Sequence, residues 1–103
     1  MKVNIPKEGK SSIEIENHDL WNLDETLASI IAIAMEEYIK EADEFHEQRP
    51  HRKEELHKIA WAMHQIANSN KYVYSGGQFD ELHQQRIKEG LNLFAELFTT
   101  LWI

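Results

Sequence analysis

Cysteine is absent from this chain of 103 residues, and several classes of protein are excluded with it. Without thiols there can be no disulfide scaffold, no thiolate metal site and no cysteine nucleophile. The sequence has no apolar run near the roughly 18 residues that a membrane-spanning helix needs. It also does not begin with a basic segment followed by an apolar one, as a signal peptide would. We therefore expect a cytoplasmic protein that makes no contact with a membrane.

Positive charge is in short supply, because 11 lysines and arginines stand against 18 aspartates and glutamates, for a formal net charge of −7. A protein that binds along a nucleic-acid backbone needs the opposite balance, so we expect no such binding. The excess of carboxylates favours solubility and would also suit the basic surface of another protein. The length is sufficient for one domain with one core.

Three stretches of the chain repeat apolar residues at the spacing of an α-helix. The first begins at Leu23 and is expected to end near residues 46–49; it is apolar on more than one side, which predicts a central position. The second and third helices are expected at residues 52–68 and 80–102. Gly90 lies inside the apolar arc of the third helix, where a missing side chain lets another backbone approach closely.

The sequence thus predicts the all-α class: a three-helix bundle over residues 20–103, preceded by a short extended N-terminal arm over residues 1–19. The alternation of Ile13 and Ile15 indicates one short strand in that arm. Trp21 is placed to pack against the start of the first helix as a hydrophobic staple.

Several large apolar side chains exceed what a three-helix monomer readily hides: Met35, Ile39, Trp61 and Trp102. We therefore expect a homo-oligomer, for which two-fold symmetry is the commonest arrangement.

A row of carboxylates follows one side of the first helix near its end: Glu37, Glu41 and Glu44. Such a row can bind Mg²⁺ or Mn²⁺ beside a phosphate substrate, or it can simply be solvated. Glu41 projects in the same direction as Leu23 and Ile30, so we expect it to point inward, where a carboxylate needs a partner or a proton.

A stripe of polar and aromatic residues follows one flank of the second helix: His57, Trp61, His64 and Asn68. Such rings beside an amide suit a planar ligand, and the alternative is an oligomer interface or a partly solvated flank. His83 and Arg86 point into the apolar arc of the third helix, near its start.

We expect a ligand site made of seven of these residues: Glu37, Glu41, His57, Trp61, His64, His83 and Arg86. In an up-down-up bundle Glu41 would lie beside His57, while His83 and Arg86 would enter the core at the opposite end. If two subunits pair antiparallel, Arg86 would instead meet Glu37 or Glu41 across the interface and complete a pocket for a polar ligand.

Two pairs have the spacing of carboxylate and histidine ligands in di-iron bundles, Glu54-x-x-His57 and Asp80-x-x-His83. Both lie in the first turn of a predicted helix, whereas di-iron ligands project from the bundle interior. Asp80 is better explained as a helix cap or dipole partner, so we expect no metal cofactor.

Two stretches resemble small helical proteins of phages and prophages. The first is Trp21 followed by residues 23–30 (LDETLASI), and the second is residues 89–102 (EGLNLFAELFTTLW). The resemblance covers the larger part of the chain and implies a viral accessory protein that works in the host cytoplasm.

Glu41-x-x-Glu44 resembles the E-x-x-E metal row of the MazG-type all-α nucleotide pyrophosphohydrolases, which implies Mg²⁺ and nucleotide hydrolysis. Those enzymes carry E-x-x-D on the next helix, and no such pair follows here. The chain also has no glycine-rich phosphate loop.

We therefore expect a non-enzymatic accessory protein that acts by binding. It would sequester a host nucleotide signal in a pocket, or inhibit a host defence protein through its acidic surface. The alternatives are a Mg²⁺-dependent nucleoside triphosphate pyrophosphohydrolase and a structural interaction module.

Overall fold

The computed structural model describes residues 1–41, 52–68 and 81–101, and these are predominantly helical. Three α-helices lie within these ranges: α1 at Leu23–Glu41, α2 at Arg52–Ala67 and α3 at Glu81–Leu97. A short 3-10 helix precedes α1 at Asn17–Leu20, and another follows α3 at Phe98–Thr100. None of these described helices has the length and apolarity that crossing a bilayer requires.

The N-terminal arm contains a two-stranded hairpin, where a single strand was expected. Strand β1 at Lys2–Asn4 pairs antiparallel with β2 at Ser12–Glu14, and Val3 lies opposite Ile13. Gly9, in the connection, has a φ of 98°, in the left-handed region that glycine adopts without steric cost. The strand predicted around Ile13 is confirmed as β2, and its partner β1 is additional.

The central helix is α2, which packs against both α1 and α3, whereas those two make little direct contact with each other. The prediction that the first helix is central is therefore wrong. A face at helical spacing is buried on α1, made of Ala28, Ala32, Met35 and Ile39. Leu23, which was predicted to share the inward direction of Ile30, is instead 44% exposed, and Leu27 on the same side is 47% exposed.

The core lies where α1 and α3 meet the two sides of α2. Leu56 and Ile59 of α2 are fully buried, and Met35 and Ile39 join them from α1. From the other side, Leu93 and Phe94 of α3 pack against this cluster. Met35 and Ile39, which were predicted to be surplus apolar side chains, therefore belong to the core of a single chain. Trp102 lies outside the described residues. The predicted helix end at residues 46–49 also lies outside them.

Two polar contacts show that α2 and α3 run antiparallel. Lys58 Nζ donates a hydrogen bond to Glu89 Oε1 at 2.8 Å. Farther along, Arg52 Nη2 donates to the Thr100 carbonyl oxygen at 2.9 Å. Arg52 is a buried cation, and this bond compensates part of the cost of removing its guanidinium from water.

Gly90 is the point of closest approach between α2 and α3, which confirms the prediction made for it. A Cβ atom placed on Gly90 would clash with Ala62 Cβ and would lie only 2.8 Å from the Lys58 carbonyl oxygen. Since the second obstacle is backbone, no rotamer change can relieve it. Any larger residue here requires the two helices to separate.

We expect Gly90→Ala to lower the free energy of unfolding by about 1 kcal/mol or more. Alanine gains about 1 kcal/mol in helix propensity, but overpacking against a backbone costs typically 1–3 kcal/mol and here exceeds that gain. Urea unfolding followed by circular dichroism measures the difference. Asn92→Ala, at an exposed site of the same helix, is the control and should keep or raise stability. A Gly90→Ala variant as stable as the parent protein would contradict the close approach.

Asp19 connects the hairpin to α1. Its Oδ2 atom accepts a hydrogen bond from the Glu16 backbone nitrogen at 2.8 Å and lies 3.0 Å from the Met1 amino group. The Asp19 carbonyl oxygen accepts a hydrogen bond from Thr26 Oγ1 at 2.7 Å. The Glu16 hydrogen bond, and after it the amino group, lower the pKa of Asp19 from its ordinary value of 3.8, because both favour the charged carboxylate.

This lowered pKa makes part of the stability pH-dependent. Because the carboxylate is more acidic in the folded chain, its contribution is complete above the unfolded pKa and is lost as the pH falls through the folded pKa. We therefore expect Asp19→Asn to destabilise the protein at about pH 6 and to cost progressively less towards about pH 3. Thermal unfolding at several pH values measures this, with Glu8→Gln, an exposed carboxyl group of the same arm, as control. If the destabilisation caused by Asp19→Asn did not change with pH, the charged carboxylate of Asp19 would not be its source.

Candidate ligand-binding site

An open cleft of about 700 Å³ lies between α1 and α3, with α2 as its floor. It exists because each outer helix packs on α2 and neither packs extensively on the other. All three helices line it: Glu36, Ile39 and Lys40 from α1, His57, Lys58, Ala60, Trp61 and His64 from α2, and Arg86 and Glu89 from α3. This volume falls within the range of small-molecule sites.

Trp61 is the one aromatic side chain other than histidine among the residues that line the cleft, and it is half-buried. The His83 ring meets it edge to face, with ring centroids 5.4 Å apart and an interplanar angle of 70°. Ile39 and Ala60, both buried, continue the apolar wall. His83 thus packs against the ring of Trp61 without itself lining the cleft.

The two carboxylates of the cleft are both engaged across helix boundaries. Glu36 Oε1 lies 2.6 Å from His64 Nε2 and links α1 to α2. Glu89 accepts the hydrogen bond of Lys58 and links α3 to α2. The hydrogen bond and charge of Glu89 raise the pKa of Lys58 above its ordinary value, so this lysine stays protonated at neutral pH.

Three other nitrogen-bearing side chains of the cleft, those of Arg86, His57 and Lys40, are less engaged than Lys58. Arg86 is exposed and makes no hydrogen bond or ion pair with any residue of the described ranges, and the same is true of His57. Lys40 has one contact, with Glu37 at 3.5 Å, between side chains that are largely solvent-exposed. Such an exposed pair contributes little, so its ammonium group is available to a ligand.

Four of the seven predicted site residues line this one cleft: His57, Trp61, His64 and Arg86. The expectation that His57 and Arg86 lie at opposite ends of the bundle is therefore wrong. α3 crosses α2 at Gly90, beside Lys58 and Ala62, and this crossing brings the first turns of α3 over the middle of α2.

Glu37 and Glu41 do not line the cleft. Glu41 is exposed, and no histidine or arginine of the described ranges hydrogen-bonds to it, so the prediction of an inward Glu41 beside His57 is wrong. Two residues along a helix correspond to a rotation of about 200°, so burial of Ile39 turns Glu41 to the opposite side. Glu44 and Asp80 lie outside the described residues. Within the described part, no three acidic or histidine side chains are grouped closely enough to hold a metal ion.

Comparison with protein families, with curated proteins and with solved structures finds no match to this chain. The resemblances to phage proteins and to MazG-type enzymes therefore stay predictions. The cleft and its chemistry are the basis on which a function is to be inferred.

Proposed function

We propose that the protein binds a small planar ligand in the cleft and releases it unchanged. The observation that carries this proposal is Trp61, which lines the cleft, is half-buried and packs against His83 in a T-shaped arrangement. A planar ligand can stack on such a ring, and the stacking removes apolar surface of the ring from water. A volume of about 700 Å³ suits a small molecule far better than a protein surface.

A nucleotide is the ligand class that we propose, since it joins a planar base to polar groups. Sequestration of a host nucleotide signal by a phage-type accessory protein in the host cytoplasm would be the biological role. The cleft supports this role over inhibition of a host defence protein. Its lining side chains come from three helices and surround a concave space, which suits a small molecule.

Binding without turnover is supported by the state of the cleft carboxylates. Glu36 already contacts His64, and Glu89 already contacts Lys58. One oxygen of each carboxylate is therefore already occupied by a side chain of another helix. This arrangement favours binding over the alternative pyrophosphohydrolase activity.

We expect Trp61→Ala to weaken binding of the nucleoside or nucleotide that the protein prefers by about tenfold or more, since stacking of a base on an aromatic ring contributes about 1–3 kcal/mol. The ligand is found by thermal-shift screening of nucleosides and nucleotides, and affinities are measured by isothermal titration calorimetry. Trp21→Ala is the matched control, because Trp21 is 81% exposed and lies outside the cleft. Equal affinities of the Trp61→Ala variant and the parent protein would refute the stacking role.

The same incubations, repeated with Mg²⁺, test whether the ligand is returned intact. We expect chromatography to recover it unchanged after the protein is denatured. Release of pyrophosphate from a nucleoside triphosphate, abolished by Glu41→Gln, would establish the enzymatic alternative instead.

A second candidate role, that of an interaction module, is supported by an apolar patch at the start of α1. Its side chains are substantially exposed: Leu20 (56%), Trp21 (81%), Leu23 (44%) and Leu27 (47%). The predicted staple position of Trp21 is wrong, because a stapling side chain would be covered by the helix. Pairing with a second copy of the chain would bury this patch and give the expected homo-oligomer.

We expect light scattering at micromolar concentration to report a dimer or a larger assembly. Trp21→Glu should shift the mass towards that of a single chain, because a charge buried in an apolar interface is costly. Glu8→Gln, at an exposed site of the arm outside this patch, serves as control. A monomeric mass for the parent protein would exclude the assembly.

A further inference from the structure

The cleft differs in charge from the rest of the chain. The formal net charge of the protein is −7, yet the cleft carries three permanent cations, Lys40, Lys58 and Arg86, against two carboxylates, Glu36 and Glu89. Counted over its lining residues, this cleft has one more permanent cation than carboxylates, and Glu37 contacts Lys40 from outside the lining.

We infer that the ligand carries a phosphate group, which binds directly to the cationic side chains of the cleft while its ring stacks on Trp61. This inference rests on the proposed function and identifies the group that accompanies the planar ring. Arg86 is its main residue, because a guanidinium offers several donors in a planar fork that matches phosphate oxygens. The Arg86 donors have no partner within the described ranges.

Both carboxylates of the cleft are paired, so neither competes with a ligand for the unpaired cationic side chains. Glu89 and Glu36 would compete with an anion if they were free, but each is satisfied by a neighbour on another helix. Lys58 is likewise committed to Glu89, at 2.8 Å. The groups that remain for an anion are the guanidinium of Arg86, the ammonium of Lys40 and the imidazole of His57.

The register of the helices places these donors within reach of a stacked ring. Arg86 follows His83, which contacts Trp61, by three residues of α3, or about 4.5 Å along the helix axis. His57 precedes Trp61 by four residues of α2, so the two side chains lie on one face, about 6 Å apart along the axis. A ring on Trp61 and a phosphate one helical turn away match the arrangement of base, sugar and phosphate in a nucleoside monophosphate.

The overall negative charge does not prevent such binding. Charges separated by more than the Debye length, about 8 Å at physiological ionic strength, are largely screened, so the nearby cations decide the local attraction. The same argument predicts that added salt weakens binding of a nucleotide more than that of an uncharged nucleoside.

The experiment compares each of the four common ribonucleosides with its 5′-monophosphate by isothermal titration calorimetry, without divalent ions. We expect the preferred monophosphate to bind about tenfold or more tightly than its nucleoside, because hydrogen bonds between charged partners are the strong class. Arg86→Gln should weaken binding of the monophosphate far more than binding of the nucleoside, and so remove most of this preference. Lys40→Gln, at a second exposed site, should reduce the preference in part.

Lys88→Gln is the matched control, since Lys88 is exposed on α3 and lies outside the cleft. It should change neither affinity. If the parent protein binds nucleoside and monophosphate equally, the phosphate inference fails while the proposed planar-ligand function stands. If the preference persists in Arg86→Gln, the inference also fails, because its main residue has no effect. If no nucleoside and no monophosphate binds, both proposals fail.

Discussion

The close approach of α3 to α2 at Gly90 is the constraint on which the rest of the structure depends. It sets where the two helices cross, and that crossing brings Glu89 to Lys58 and His83 to Trp61. Ala28 and Ala32, both buried, are the small side chains that α1 contributes to the core it shares with α2. Because small side chains bring both outer helices against α2, these helices stay apart from each other, and the cleft is the space that remains between them.

The parts of this fold that the sequence revealed depend on regular spacing within one element. Apolar periodicity located α2, predicted at residues 52–68 and found at Arg52–Ala67, and the same signal located most of α3. Gly90 was recognisable because a glycine inside an apolar helical arc costs about 1 kcal/mol in helix propensity and needs a packing reason. The flank with His57, Trp61 and His64 was recognisable because rings that recur every three or four residues share one side of a helix.

The parts that the sequence did not reveal depend on which of two apolar faces is buried. α1 has leucines and isoleucines on one face and alanines on part of another, and area alone favours burying the first. Tight helix packing favours the second, and this choice reversed the position assigned to Glu41. Strand β1 was missed for a related reason. Met1, Val3 and Ile5 alternate as a strand requires, but the alternation is short, and its partner β2 forms the pairing only in the folded arm.

Charged residues explain why the sequence indicated only part of the candidate site. Glu36, Lys40, Lys58 and Glu89 resemble an ordinary solvated surface when each helix is considered alone, and single exposed ion pairs stabilise a fold very little. Between three helices the same residues have a different effect, because each carboxylate pairs with a neighbour on another helix, and Arg86 and Lys40 are left without strong partners among the described residues. Which side chains of the cleft stay unpaired therefore follows from contacts between helices rather than from composition, in a chain whose net charge is −7.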